Sequence, residues 1–523
     1  ITGGNLNITG ASQVIFDGGL IVQSAASVGG NITIEADEID FRGGAQSVLS
    51  NGGTLTMRSA TANLAYEVGD PPYSDPARLN IDTTDMAALS AGFGKIVIGR
   101  VSGSHAAAES GEVRVGAFAS TTSPLFWSNL EIYGGSITVM DIAASSDFAF
   151  LVDGNISLDA INNINIQNKV QAGVNTLKDV SLYSAQGLIL QSNAVAALDD
   201  RVASEPLRAD HLTVRSATGT DLRFLDVGTV TATNTTSGNL TLTELASGGE
   251  LDVQSISQQG AGAVSINTTN GLLKVLSGGT ISHAGAGTVG LNALGTTGSL
   301  QTLGVVQANG GAITMTSTGD VQIGANVTNT NGLITVDAAG TDLTLNATLR
   351  TDGFINLSAH RDVTQNSGRA LLALGSSHTG AVNVTAGRNL TLSRIEADSG
   401  VVLEATSGWI RDGLTGSLAN DAGNDTSDEN LIVKTGSAVL RAGAGIGQSS
   451  ASLMTQVATL ALSNAGSGAV YLSERDDLSI SGSHGTGGNS VDITATAPAN
   501  DADPSGALIL VSRTGAITVS GPV

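Results

Sequence analysis

Residues 311–315 read Gly311-Ala312-Ile313-Thr314-Met315, and residues 332–336 read Gly332-Leu333-Ile334-Thr335-Val336. Related phrases open at Gly262, Gly287, Gly353, Gly380 and Gly400, so the seven glycines lie 25, 24, 21, 21, 27 and 20 residues apart. Self-similarity at such a period marks a solenoid, in which each repeat stacks on the one before. In all but the last phrase the second and fourth residues after the glycine are aliphatic: Val264/Ile266, Val289/Leu291, Ile313/Met315, Ile334/Val336, Ile355/Leu357 and Val382/Val384. Successive side chains on a strand leave opposite faces, so each pair points inward from a short strand. A second set, Leu273/Val275, Val321/Ile323, Leu343/Leu345 and Leu390/Leu392, begins ten or eleven residues after the glycine.

Each repeat therefore carries at least two strands. Asn270-Gly271, Gly319-Asp320, Gly340-Thr341-Asp342 and Gly387-Arg388-Asn389 lie between them. Residues of these types accept the backbone angles of tight corners. A coil with two or three corners per repeat, strand stacked on strand, is a parallel β-helix. One rung buries too few aliphatic side chains to offset the entropy of fixing its backbone, so stability comes from stacking. At Gly400 the aliphatic pair is Val401/Leu403, and Glu404 falls where an aliphatic residue is expected. That predicts a bulge or register change there.

The same grammar runs along the rest of the chain, from Gly30-Asn31-Ile32-Thr33-Ile34 to Gly515-Ala516-Ile517-Thr518-Val519. The expected fold is all-β: one continuous β-helix segment over residues 1–523, with about twenty rungs at the observed period. Inserted loops are expected near 65–94, 194–207 and 411–430. In the first of these, Asp82-Thr83-Thr84-Asp85-Met86-Ala87-Ala88-Leu89 pairs capping residues with good helix formers and predicts a short helix. Both ends read as mid-repeat, which suggests a segment of something longer.

Composition agrees with stacked short strands: 68 glycines among 523 residues and only 3% aromatics. A net charge of −23 argues against nucleic-acid partners, whose phosphates it would repel. With no cysteine there are no disulfides or thiolate metal sites. No apolar run is long enough for a membrane-spanning helix.

Motifs that could carry chemistry are few. Gly285-Ala286-Gly287-Thr288-Val289-Gly290 fits G-x-G-x-x-G, but a repeat strand follows where a dinucleotide site needs a helix. Four carboxylates, Asp421, Asp425, Asp428 and Glu429, crowd the loop before Asn430 and form the one candidate Ca²⁺ site, though without EF-hand spacing. His105, His211, His283, His360, His378 and His484 are scattered without metal-binding spacing. Pro124-Leu125-Phe126-Trp127 offers aromatic rings for a sugar or a cap for a corner. Glycan cleavage would require paired acids, or acids with a base, on adjacent rungs of one face. Asp199, Asp200 and Arg201 are the nearest approach in the sequence, with no matching carboxylates a period away, so catalysis is not expected. Asn-x-Thr/Ser triplets at Asn31, Asn155, Asn239, Asn346, Asn383 and Asn389 read as products of the repeat, not as glycosylation signals.

Gly238-Asn239-Leu240-Thr241-Leu242, Gly380-Ala381-Val382-Asn383-Val384-Thr385-Ala386-Gly387-Arg388-Asn389-Leu390-Thr391-Leu392 and Ala442-Gly443-Ala444-Gly445-Ile446-Gly447 resemble the degenerate repeats of filamentous-haemagglutinin-like bacterial surface adhesins. The segment from Thr84 to Arg100 is similar to a recurrent element of such very long proteins. The resemblance implies a right-handed β-helical shaft, exported and held at or released from the cell surface, that mediates adhesion or builds a filament. Its expected partners are copies of itself, neighbouring repeats of a longer chain, and glycans or proteins of a host or neighbouring cell. The other reading of a β-helix is a polysaccharide-degrading enzyme or a phage tailspike-like glycan binder.

Overall fold

A computed structural model describes residues 4–22, 29–69, 75, 77–102, 107–116, 125–140, 149–192, 207–245, 249–375, 379–415, 429–466, 468–475, 477–480, 508–512 and 517–519. The fold is a right-handed parallel β-helix of about 17 turns, fewer than the twenty expected because insertions lengthen several coils. The chain divides into two units, Ile1–Gly262 and Ala263–Val523. Every strand ladder among the described residues is parallel, and antiparallel contact is limited to the isolated bridges Val101/Ala107 and Gln448/Ala451.

In the second unit a typical turn has three strands, and three parallel faces enclose the core. Ile313–Ser317, Val321–Ile323 and Val327–Asn329 make one turn, and Ile334–Ala338, Leu343–Leu345 and Leu349–Thr351 the next. The first sheet keeps one register from Val264 through Val289, Ile313, Ile334, Ile355 and Val382 to Val401. All of these side chains are at most 1% exposed. They form columns of like on like, and each fully buried aliphatic side chain contributes about 1.5–3 kcal/mol.

The third strand had no paired aliphatic signal. Val327, Leu349, Leu371 and Ile395 point inward, but the next inward residue is Asn329, Thr351, Ala373 or Ala397. The polar ones serve the corner. Asn329 Nδ2 donates to the carbonyls of Gly311 at 2.6 Å and Leu333 at 3.1 Å, and the Thr351 hydroxyl donates to Gly332 O. Buried polar groups persist only when hydrogen-bonded in this way.

The repeat glycines answer a spatial demand. A Cβ on Gly311 would lie 1.8 Å from the Gly287 carbonyl oxygen, one on Gly332 would lie 2.4 Å from that of Gly311, and one on Gly353 would lie 2.7 Å from that of Gly332. Each glycine thus sits directly under its predecessor. The corner glycines Gly340 and Gly387 are constrained in the same manner, a Cβ meeting Thr318 O or His360 O at 1.9 Å, and neither has positive φ. The expectation of unusual corner angles holds at Gly271, with φ 108°, but not at these two.

No bulge occurs at Gly400. Ala381 pairs with Gly400, Val382 with Val401, Val384 with Leu403 and Thr385 with Glu404, so the glycine has moved one residue along the coil while the aliphatic columns stay aligned. Glu404 faces outward. Register shifts fall elsewhere, between Leu222 and Leu225, between Val230 and Thr231, and between Val433 and Ser437.

In the first unit, Leu6–Thr9, Ile32–Glu35, Thr54–Arg58, Lys95–Ile98, Asn129–Gly134, Ile156–Ala160 and Val180–Ser184 stack in that order. Residues 65–94 contribute to the stack: Tyr66–Val68 pairs with both Leu79–Ile81 and Val113–Val115. The expected helix spans Thr83–Ala88 with Asp82 as its cap, accepting from the amides of Thr84 and Asp85. The Asp85 carboxylate accepts from Asp82 N and, at 2.8 Å, from Phe41 N. The helix therefore closes the edge of Ile39–Phe41 where another strand would otherwise pair. No helix among the described residues is long and apolar enough to cross a membrane.

Candidate functional site

Outward positions of a solenoid form columns, one residue per turn, about 4.8 Å apart. In the second unit several outward positions are hydrogen-bonded from turn to turn. Asn292 donates to Asn267 and Asn383 to Asn356, each at 2.8 Å, and Ser358 donates to Asp337 at 2.7 Å. At the corner before the second sheet, Asp320, Asp342, Asp362 and Asn389 each accept the backbone N–H of the residue one turn on, at 3.0–3.1 Å. Arg361 pairs with Asp342 and Arg388 with Asp362. The hydrogen bonds from Arg361 hold the Asp342 carboxyl below the usual carboxylate range.

The second sheet also carries a stretch of stacked outward amides. Register places Gln301 beside Gln322 and Gln322 beside Thr344. They floor an open groove of about 300 Å³, edged by Ser299, Asp320 and Asp342. Gln301, Gln322, Thr344 and Ser299 are half-buried, and their side chains make no hydrogen bond among the described residues. The column continues through Thr364 and Thr391 to Arg411, whose guanidinium lies 5.6 Å over the Trp409 ring.

The first unit carries a second polar cluster, on the outer face of its stacked sheet. Glu131 and Asp159 sit on adjacent turns, with Tyr133 opposite Asp159 and Ser157 opposite Glu131. Glu131 is engaged by Lys95 Nζ at 3.0 Å and by the Tyr133 hydroxyl at 3.1 Å, and Asp159 accepts from Ser157 at 2.7 Å. Burial raises the Tyr133 phenol pKa, and the negative charges of Asp159 and Glu131 add to it. Only tertiary register reveals this pair of acids, because Glu131 and Asp159 share no local motif. Asp159 is fully buried and Tyr133 5% exposed, while Glu131 is half-buried.

Of the four candidate calcium ligands, Asp421, Asp425 and Asp428 lie outside the described residues. Glu429 is fully buried and ion-paired with Arg475 at 3.3 Å, so its oxygens face a guanidinium. Among the described residues no three His, Asp or Glu converge as metal ligands. Asp199, Asp200 and Arg201 also lie outside the described residues, as do His105, His378 and His484. His283 points into the core, His211 is half-buried on a strand, and His360 is exposed at a corner. The aromatic turn splits: Phe126 is buried, whereas Trp127 is 50% exposed. Among the asparagines of the Asn-x-Thr/Ser triplets, Asn31 accepts from Thr54 N at 2.9 Å and Asn155 from Asp179 N at 3.1 Å one turn on, whereas Asn383 donates to Asn356.

The chain matches no family model, no curated protein and no solved structure.

Proposed function

We propose that the chain is a structural shaft segment of an exported bacterial adhesin or cell-surface filament, of the filamentous-haemagglutinin-like kind its repeats resemble. The observation that carries this reading is the stack of inward aliphatic columns in constant register, with several outward polar positions hydrogen-bonded from turn to turn. Such a surface resists water and proteolysis without a ligand, which suits a spacer exposed outside the cell. A charge of −23 and the absence of cysteine are compatible with that setting. Its partners on this reading are copies of itself, neighbouring repeats, and glycans or proteins of a facing cell.

The enzyme reading draws on Glu131 and Asp159, acids on adjacent turns of one face. It is the weaker of the two, because both carboxylates are engaged by neighbours and Asp159 is buried. Immunogold labelling of intact producing cells with an antibody to this chain tests the shaft reading. Label outside the cell envelope is expected, and label confined to the cytoplasm overturns it.

A further inference from the structure

We infer that the groove floored by Gln301, Gln322 and Thr344 binds an uncharged, extended oligosaccharide whose axis runs across the strands. The argument begins with hydrogen-bonding capacity. Elsewhere on this unit outward amides are closed in ladders, as at Asn267/Asn292 and Asn356/Asn383. Here two stacked primary amides make no hydrogen bond among the described residues. Each offers two donors and an acceptor, which matches the paired donor and acceptor character of a sugar hydroxyl. Asp320 adds a further acceptor: its Oδ1 takes Asp342 N and the Thr341 hydroxyl, and Oδ2 takes no hydrogen bond among the described residues.

Charge selects against other ligands. Asp342 is already paired with Arg361, leaving one uncommitted carboxylate oxygen and no free cation among the groove's lining residues. Lys274, in register beside Gln301 on the preceding turn, already has an interaction of its own, so a phosphate or uronate chain would meet the Asp320 and Asp342 carboxylates with no uncommitted cation in the lining. A Ca²⁺ ion, which takes six to eight oxygens, would find too few. Spacing selects the shape. Gln301, Gln322 and Thr344 repeat at the strand separation of about 4.8 Å, close to the rise of one pyranose ring in a β-1,4-linked chain. Thr364 and Thr391 extend the same column to Arg411, whose guanidinium covers the adjacent Trp409 ring.

The test is saturation-transfer NMR and calorimetry on the full chain with cellotetraose, chitotetraose, maltotetraose and tetragalacturonate. Binding of cellotetraose or chitotetraose is expected, weakened at least tenfold by Gln301→Ala/Gln322→Ala and by the isosteric Gln322→Glu. Asn356→Ala/Asn383→Ala, on the neighbouring sheet, leaves it unchanged. The groove variants should keep the wild-type melting temperature, since Gln301 and Gln322 face outward and make no hydrogen bond among the described residues. The proposal is overturned if neither β-linked tetrasaccharide binds, if the groove variants bind as tightly as wild type, or if maltotetraose or tetragalacturonate binds more tightly. The inference rests on the adhesive reading only for the source of the glycan. Surface-located protein that binds no tetrasaccharide would overturn the groove assignment alone, and cytoplasmic protein that binds through Gln322 would overturn the shaft reading alone.

Discussion

Gly311 shows how one atom governs a repeat. Its missing Cβ makes room for the Gly287 carbonyl, and Gly332 and Gly353 repeat the arrangement on the following turns. Gly311→Ala forces the backbone of one turn away from the next and is expected to cost about 2–4 kcal/mol. Gly278 is the contrasting case, with φ 78° and nothing within 4 Å of where a methyl would sit. Gly278→Ala meets only the left-handed backbone penalty, about 1–2 kcal/mol. Urea denaturation followed by circular dichroism separates the two, and equal costs would remove the stacking explanation. The position of these glycines was plain in the sequence, but the reason for them was not. Periodicity cannot distinguish a glycine needed for φ from one needed for space. The groove's Gln301 and Gln322 were equally invisible, because nothing local marks an amide whose neighbour one turn away leaves it unpaired.

At the scale of the element, the helix Thr83–Ala88 is held by a carboxylate in an unusual setting. Burial, reinforced by the negative charges of Asp82 and Asp40, pushes the Asp85 pKa up from its ordinary 3.8 to about 7, although the Phe41 and Asp82 amides pull the other way. The folded state therefore holds a proton that the unfolded chain releases between these values. Stability from this group is full below about pH 4, falls as pH rises toward 7, and is level above that. Asp85→Asn keeps an acceptor for Phe41 N and removes the titration, so its melting temperature should vary less between pH 4 and 7 than that of the wild type. Parallel pH dependences would show that Asp85 does not titrate there. The helix itself was legible, since capping residues precede good helix formers in the sequence, and the structure adds the capping box between Asp82 and Asp85. The third strand of each turn was not, because Asn329 and Thr351 occupy inward positions where an aliphatic residue would have announced a strand.

For the whole molecule, a solenoid's stability is a sum over turns and their interfaces. Removing residues 332–352 joins Asn331 to Gly353 and brings Ile355 onto Ile313, restoring like-on-like columns. That variant should melt cooperatively within about 5 °C of the wild type. Removing only residues 332–341 takes one strand from one sheet, misaligns the next two, and should abolish the cooperative transition. Differential scanning calorimetry decides between them, and two similar losses would argue against independent turns.

The sequence by itself determined the repeat, the inward aliphatic pairs and hence the parallel stack, since a period and a strand alternation are local properties that any reader of the chain can count. Tertiary structure alone decided which outward residues become neighbours. Glu131 with Asp159, Glu429 with Arg475 and Gln301 with Gln322 meet because coils of unequal length return to one register, and that return is fixed by packing across turns.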